Sequence, residues 1–148
     1  MQLLIVLLMV SFINLFPGND KPKPVENKHV TFKASIVETS LKAGMTGTLQ
    51  LTLTPTKGIH INLDPPMNVI MDSSASIGNV EKLTIPKNEK TGYLDASKPV
   101  TLKFKLAANV KPGKLNLKGT FTYFYCSDAE GWCNRFKQPI DVTVTVSK

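Results

Sequence analysis

Two cysteines, two histidines and a single tryptophan are all that this 148-residue chain offers of the side chains that most often bind metals, shuttle protons or pass electrons. It has no Gly-rich phosphate loop, no nucleophile elbow and no carboxylate pair at a working spacing, which removes the common hydrolase and phosphoryl-transfer signatures. The histidines, His29 and His60, stand far from each other and from Cys126 and Cys133. Zinc and copper sites usually show short spacings such as C-x2-C or H-x3-H, so no metal and no cofactor is expected. A basic block with interleaved aromatics is missing as well. The net charge is +7, but the 18 Lys and Arg are scattered and mostly alternate with Thr or apolar residues, as in Thr101 to Leu106, TLKFKL. Lysines on the outer faces of strands account for them, and nucleic-acid binding is not expected. Unspecific attraction to acidic partners or anionic lipid remains open.

Only one long apolar run occurs, from Leu3 to Phe16, broken by Pro17-Gly18 and followed by polar NDKPKPVENK. As a helix it would span about 21 Å, short of the roughly 30 Å of a bilayer core. No Lys or Arg precedes it and no small-x-small cleavage site follows. The outline is that of a secretory signal over 1–18, or an N-terminal anchor if uncleaved, which would be the sole membrane contact. Without a cysteine at the run's end, a lipid-modified cysteine there is excluded. Residues 19–28 read as a polar Pro/Lys linker. Residues 29–148 suffice for one domain with a core and are too few for two. A periplasmic or secreted location follows, and in such a compartment two nearby cysteines tend to meet as a disulfide.

No stretch in the body of the chain carries a capped 3.6-residue period. Period two dominates instead: Val30, Phe32, Ala34 and Ile36 alternate with polar residues, as do Leu49, Leu51 and Leu53. The pattern recurs at Ile59 to Leu63, Val69 to Met71, Glu81 to Ile85, Thr101 to Leu106, Leu115 to Tyr125 and Ile140 to Val146, giving about eight half-buried strands. Turn signals at Lys42-Ala43-Gly44, Thr56-Lys57-Gly58, Asp64-Pro65-Pro66, Ser97-Lys98-Pro99 and Lys111-Pro112-Gly113 separate them. The expected fold is all-β, an immunoglobulin-like antiparallel β-sandwich, with a small barrel as the alternative.

Both cysteines lie in Tyr125 to Cys133, YCSDAEGWC. In the strand before them, Leu115, Leu117, Phe121, Tyr123 and Tyr125 form the apolar face, which puts Cys126 on the opposite face with Thr120, Thr122 and Phe124. After the turn, Trp132 to Phe136 starts a return strand that Pro139 should break before Ile140. Flanking a hairpin turn, the cysteines can approach to disulfide distance. Closing so short a loop stabilises by only about 2.5 kcal/mol, while an exposed hairpin bond is open to an incoming thiolate. An inert staple and a working pair both remain in play. Asp128 and Glu130 would raise a neighbouring thiol pKa and Arg135 would lower it.

Gly119 to Cys133, with Pro139 and the Val142 to Val146 strand behind it, resembles the N-terminal periplasmic domain of the thiol:disulfide interchange protein DsbD. Gly58 to Pro66, GIHINLDPP, is similar to the Gly-initiated strand of the same family. The resemblance spans Val30 to Val146. It implies a cysteine pair that takes electrons from a membrane-embedded donor and passes them to thioredoxin-fold periplasmic proteins. Cys133 would form the mixed disulfide and Cys126 would resolve it. Because the 148 residues hold neither carrier nor thioredoxin-like domain, the reductant would come from a separate protein. His60 and Asn62 fall where that family carries aromatic residues near the disulfide, and Phe124, Trp132 and Arg135 complete the expected surroundings. A cap loop would match Pro86 to Tyr93, with Lys87, Asn88, Glu89 and Tyr93 as its candidates. The alternative is a non-catalytic immunoglobulin-like adaptor whose hairpin presents Trp132 and Phe136.

Overall fold

The computed structural model describes residues 25–72 and 74–148; the expected signal segment and most of the linker lie outside them. Among the described residues nine strands run in chain order: β1 Val30–Ile36, β2 Leu41–Lys42, β3 Thr46–Pro55, β4 Ile59–Asn62, β5 Asn68–Met71, β6 Ile77–Val80, β7 Val100–Leu106, β8 Gly113–Ser127 and β9 Trp132–Ser147. They form two sheets, β1-β3-β7-β6 and β2-β9-β8-β4, with β5 also on β8. The fold is the expected immunoglobulin-like β-sandwich. All pairings are antiparallel except the short β2–β9 contact.

Alternation in the sequence becomes two inward faces. Leu49, Leu51 and Leu53 of β3 and Val100, Leu102, Phe104 and Leu106 of β7 pack against Leu117, Phe121, Tyr123, Ile140 and Val144 of β8 and β9, all nearly or fully buried. Each large apolar side chain so buried contributes about 1.5–3 kcal/mol, which is what holds the two layers face to face. The chain makes room deliberately at Gly47, where a Cβ would stand 2.7 Å from the Phe104 ring and 2.5 Å from a Leu41 methyl.

Three departures from the alternation have physical reasons. Glu81 to Ile85 is not a strand: β6 takes that edge of β7 earlier. The later segment touches β7 only through Glu81 N–H to Lys103 O and the Thr84–Thr101 bridge. Three residues there oppose two, which breaks a strand's period. Leu41–Lys42 adds a strand that two residues could not announce. Pro139, expected to interrupt the last hairpin, lies inside an unbroken β9 opposite Thr120. Cys126 and Cys133, paired six positions along, have Cα atoms 4.1 Å apart, the narrow spacing of a pair without ladder hydrogen bonds. Thr120 and Pro139 share that parity, so the absent proline N–H points away from β8 to an edge that β2 occupies only at Val146 and Ser147.

Asn27, read from sequence as linker, donates its side-chain N–H to the Tyr123 hydroxyl at 3.1 Å and accepts from the His29 backbone N–H at 2.9 Å. Burial pushes the Tyr123 hydroxyl up to about 12 from an ordinary value of 10.0, with the Asn27 contact pulling the other way. An unfolded chain would lose that proton near pH 10. Stability from this group is therefore full below pH about 10 and is lost as pH rises toward 12. Urea unfolding across that window should cost the wild type about 2–3 kcal/mol more than Tyr123→Phe; equal alkaline slopes in the two proteins would contradict it.

Candidate functional site

β8 and β9 stay paired from Gly113–Val146 to Ser127–Trp132. The chain reverses through Asp128 to Gly131, where Gly131 adopts a φ of +69° and its N–H donates to Ser127 O at 2.9 Å. Only glycine takes that left-handed conformation cheaply. Opposed directly across the ladder at the mouth of this turn, Cys126 and Cys133 are joined as a disulfide.

Strand phase decides what surrounds the bond. β4 runs along the other side of β8 in the register His60–Cys126 and Asn62–Phe124, while β9 sets Arg135 against Phe124. His60, Asn62, Phe124 and Arg135 therefore share the outer face of this sheet with the two cysteines. Trp132 does not. It is one residue from Cys133 but faces the inner side, where it lies edge-on to Tyr125 at 5.8 Å and near the His29 ring at 5.1 Å. Phe136 packs against Tyr123 on that same side. The pair of aromatics expected to stand out from the hairpin is instead folded half-buried against the core. The histidines are likewise separated, His29 on the inner side and His60 on the outer.

The two sulfurs have unlike environments. Cys126 is off the core face, as its position in the alternation requires, yet it is only 3% exposed. Cys133 is exposed. On the Cys126 side β4 pairs directly with β8 and Asn62 lies against the sulfur; the loop between Lys87 and Leu94 packs on β4 beyond it. Gly58, at a φ of +82°, turns the chain into β4, and the Asp64–Pro65 turn carries it on to β5. Leu94 N–H donates to Ile61 O at 2.9 Å, clamping the loop to β4.

Within that loop Asn88 is an internal knot. Its side-chain oxygen accepts from the N–H groups of Lys90 and Thr91 at 3.0 and 3.3 Å, and its carbonyl accepts from Gly92 N–H at 2.8 Å. Lys87 and Glu89 pair with one another at 3.6 Å on the exposed rim. Neither touches the disulfide. Tyr93 belongs to the loop and lies flat on His60, with ring centroids 3.8 Å apart and an angle of 18°.

An open cavity of about 400 Å³ remains between loop and hairpin, lined by His60, Asn62, Tyr93, Asp128 and both cysteines, with Leu63, Asp64 and Gly92 completing the wall. His60 Nδ1 is 3.5 Å from an Asp128 carboxylate oxygen. Asn62 donates a side-chain N–H to Cys126 Sγ at 3.0 Å, and its own oxygen is buried without a partner. Sequence gave no role to Leu63, Asp64 or Gly92; adjacency to Asn62 and Tyr93 was the only signal. Chemically, the arrangement presents one accessible sulfur, one covered sulfur with a hydrogen-bond donor, and a concave approach to the first.

No protein-family model matches the chain, and no curated protein sequence matches it. Among solved structures, one that aligns with it is AggA, the major subunit of aggregative adherence fimbriae type I from Escherichia coli. The alignment has 9% identity and a TM-score of 0.33, over 84% of this chain and 99% of that one. At that distance no residue's role passes from one protein to the other.

Proposed function

We propose that this protein is an extracytoplasmic thiol-disulfide exchange module that passes reducing equivalents through Cys126 and Cys133 to or from a partner, on the plan of the DsbD N-terminal domain. The observation that carries the reading is the asymmetry of the pair: Cys133 exposed at the mouth of a cavity, Cys126 3% exposed behind it. Exchange needs one sulfur that an incoming thiolate can reach in line and another that can leave. An intact disulfide fits an oxidising compartment. The partners on this reading are a membrane-embedded electron donor and a thioredoxin-fold periplasmic protein. Covalent capture through Cys133 in a Cys126→Ser protein is the deciding experiment.

A second reading has its own observation. On the inner side of the same hairpin, His29, Tyr125, Trp132 and Phe136 line a separate hollow of about 540 Å³, which suits a non-catalytic adaptor whose disulfide merely holds the turn. Replacing both cysteines by serine separates the two. The chain-entropy cost is about 2.5 kcal/mol in either case. Exchange predicts that all reductant-dependent activity disappears in a protein that still folds, whereas an adaptor would keep its binding.

A further inference from the structure

We infer that Asn62 is a catalytic residue of the pair, holding the charge of the departing Cys126 sulfur; the inference rests on the exchange reading above. When a thiolate of a dithiol partner attacks Cys133 Sγ, a partner–Cys133 bond forms and the Cys126–Cys133 bond breaks. Its electron pair leaves on Cys126 as a thiolate. A second partner thiolate then attacks the partner sulfur of that mixed disulfide, and Cys133 departs with its electron pair. The partner ends as a disulfide, and the pair has gained two electrons and, on protonation, two protons.

The first of these steps develops negative charge on a sulfur that is cut off from water. At 3% exposure Cys126 has almost no solvent to stabilise a thiolate, so a protein donor must do it. Among the described residues the side chain that donates a hydrogen bond to it is Asn62, from Nδ2 at 3.0 Å, delivered from β4 across 64 positions of sequence. The Asn62 oxygen is buried with no partner, so among the described residues the bond to Cys126 is what its side chain makes. As donor to the thiolate, the amide favours the reduced pair over the disulfide once Cys126 is ionised.

His60, Asp64, Tyr93 and Asp128 face the same cavity, and the carboxylates oppose a thiolate while a protonated imidazole would favour it. The comparison is therefore made between proteins that keep all four. In full-length Cys133→Ser protein, the ultraviolet thiolate absorbance of Cys126 is titrated with Asn62 present and with Asn62→Leu. The midpoint should rise by about one unit, the effect of losing a hydrogen bond to a charged group. In the protein with both cysteines, at a pH above the Cys126 midpoint, Asn62→Leu should move the equilibrium with dithiothreitol about tenfold toward the disulfide, or about 30 mV more negative. Reduction should slow roughly three- to tenfold, because a leaving sulfur of higher pKa departs less readily.

Asn62→Val removes the donor without adding charge or bulk, and decides the matter if the leucine variant does not fold; it should raise the midpoint by a similar amount. An unchanged midpoint and an unchanged equilibrium overturn the role of Asn62 even where exchange itself is demonstrated. Conversely, a pair too stable to reduce, with a midpoint that still moves on substitution, defeats the exchange reading and leaves Asn62 as the donor to Cys126.

Discussion

Cys126→Ser protein, oxidised in the presence of a thioredoxin-type protein whose second active-site cysteine is replaced by serine, should accumulate a covalent adduct through Cys133, whereas Cys133→Ser should form almost none. The expectation follows from access. Cys133 is exposed on β9 while Cys126 is 3% exposed beside β4. A nucleophilic sulfur must approach along the axis of the bond it breaks, so the covered side is closed to a protein-sized partner. In the Cys126→Ser protein the exposed sulfur forms the mixed disulfide and nothing inside the domain resolves it. The contrast in adduct yield should reach about 100-fold, comparable to the loss that misplacing a reacting group produces. Non-reducing electrophoresis reads it directly. Equal adduct from the two single variants would mean that both sulfurs are reached, and the burial asymmetry would then have no mechanistic consequence.

Phe104→Ala should be among the most damaging substitutions to stability. Phe104 is 1% exposed, lies on β7 opposite Gly47, and fills the space that glycine leaves: a Cβ on Gly47 would fall 2.7 Å from its ring. Truncating a buried phenylalanine costs about 3–5 kcal/mol in lost burial and residual cavity. A domain's whole stability is roughly 5–15 kcal/mol, so the thermal midpoint should fall by roughly 10–20 °C. Because β7 belongs to the sheet opposite the cysteines, exchange rates measured well below that midpoint should stay near those of the wild type. A midpoint within a few degrees of wild type would show that the two layers close over the deletion.

How much of this was legible in the sequence depends on distance along the chain. Leu49, Leu51 and Leu53, or Leu115 to Tyr125, announce their strands because alternation is local, and the sandwich follows from the number of such runs. Cys126 was placed off the core face for the same reason. Its burial is not legible there, since it comes with His60 and Asn62 arriving on β4, far upstream in the chain. The Asn62–Cys126 hydrogen bond is likewise invisible without the register between β4 and β8. Trp132 is a different kind of miss. The apolar even positions Ile140, Val142, Val144 and Val146 continue backward to Phe136, Asn134 and Trp132 in one unbroken phase, and that phase points Trp132 inward. Reading Pro139 as a break severed the two halves. A proline whose missing N–H faces an open edge leaves the ladder intact, and only the pairing with Thr120 shows that this one does.

Between Pro86 and Tyr93 the residue types do not show the division of labour that the coordinates reveal. Asn88 closes the loop on itself, Lys87 and Glu89 satisfy each other at the rim, and Tyr93 alone of the four candidates reaches the cavity, resting on His60. Nothing in the residue types distinguishes these roles.

The central claim, that the Cys126–Cys133 bond is made to be broken, is tested most directly by its reduction potential in the purified full-length protein, equilibrated against a thiol buffer of known potential. The exchange account predicts a value of roughly −180 to −270 mV, within the range of proteins that trade disulfides. A value below about −300 mV, where structural disulfides of secreted proteins lie, would contradict it and leave the bond as a staple across the turn.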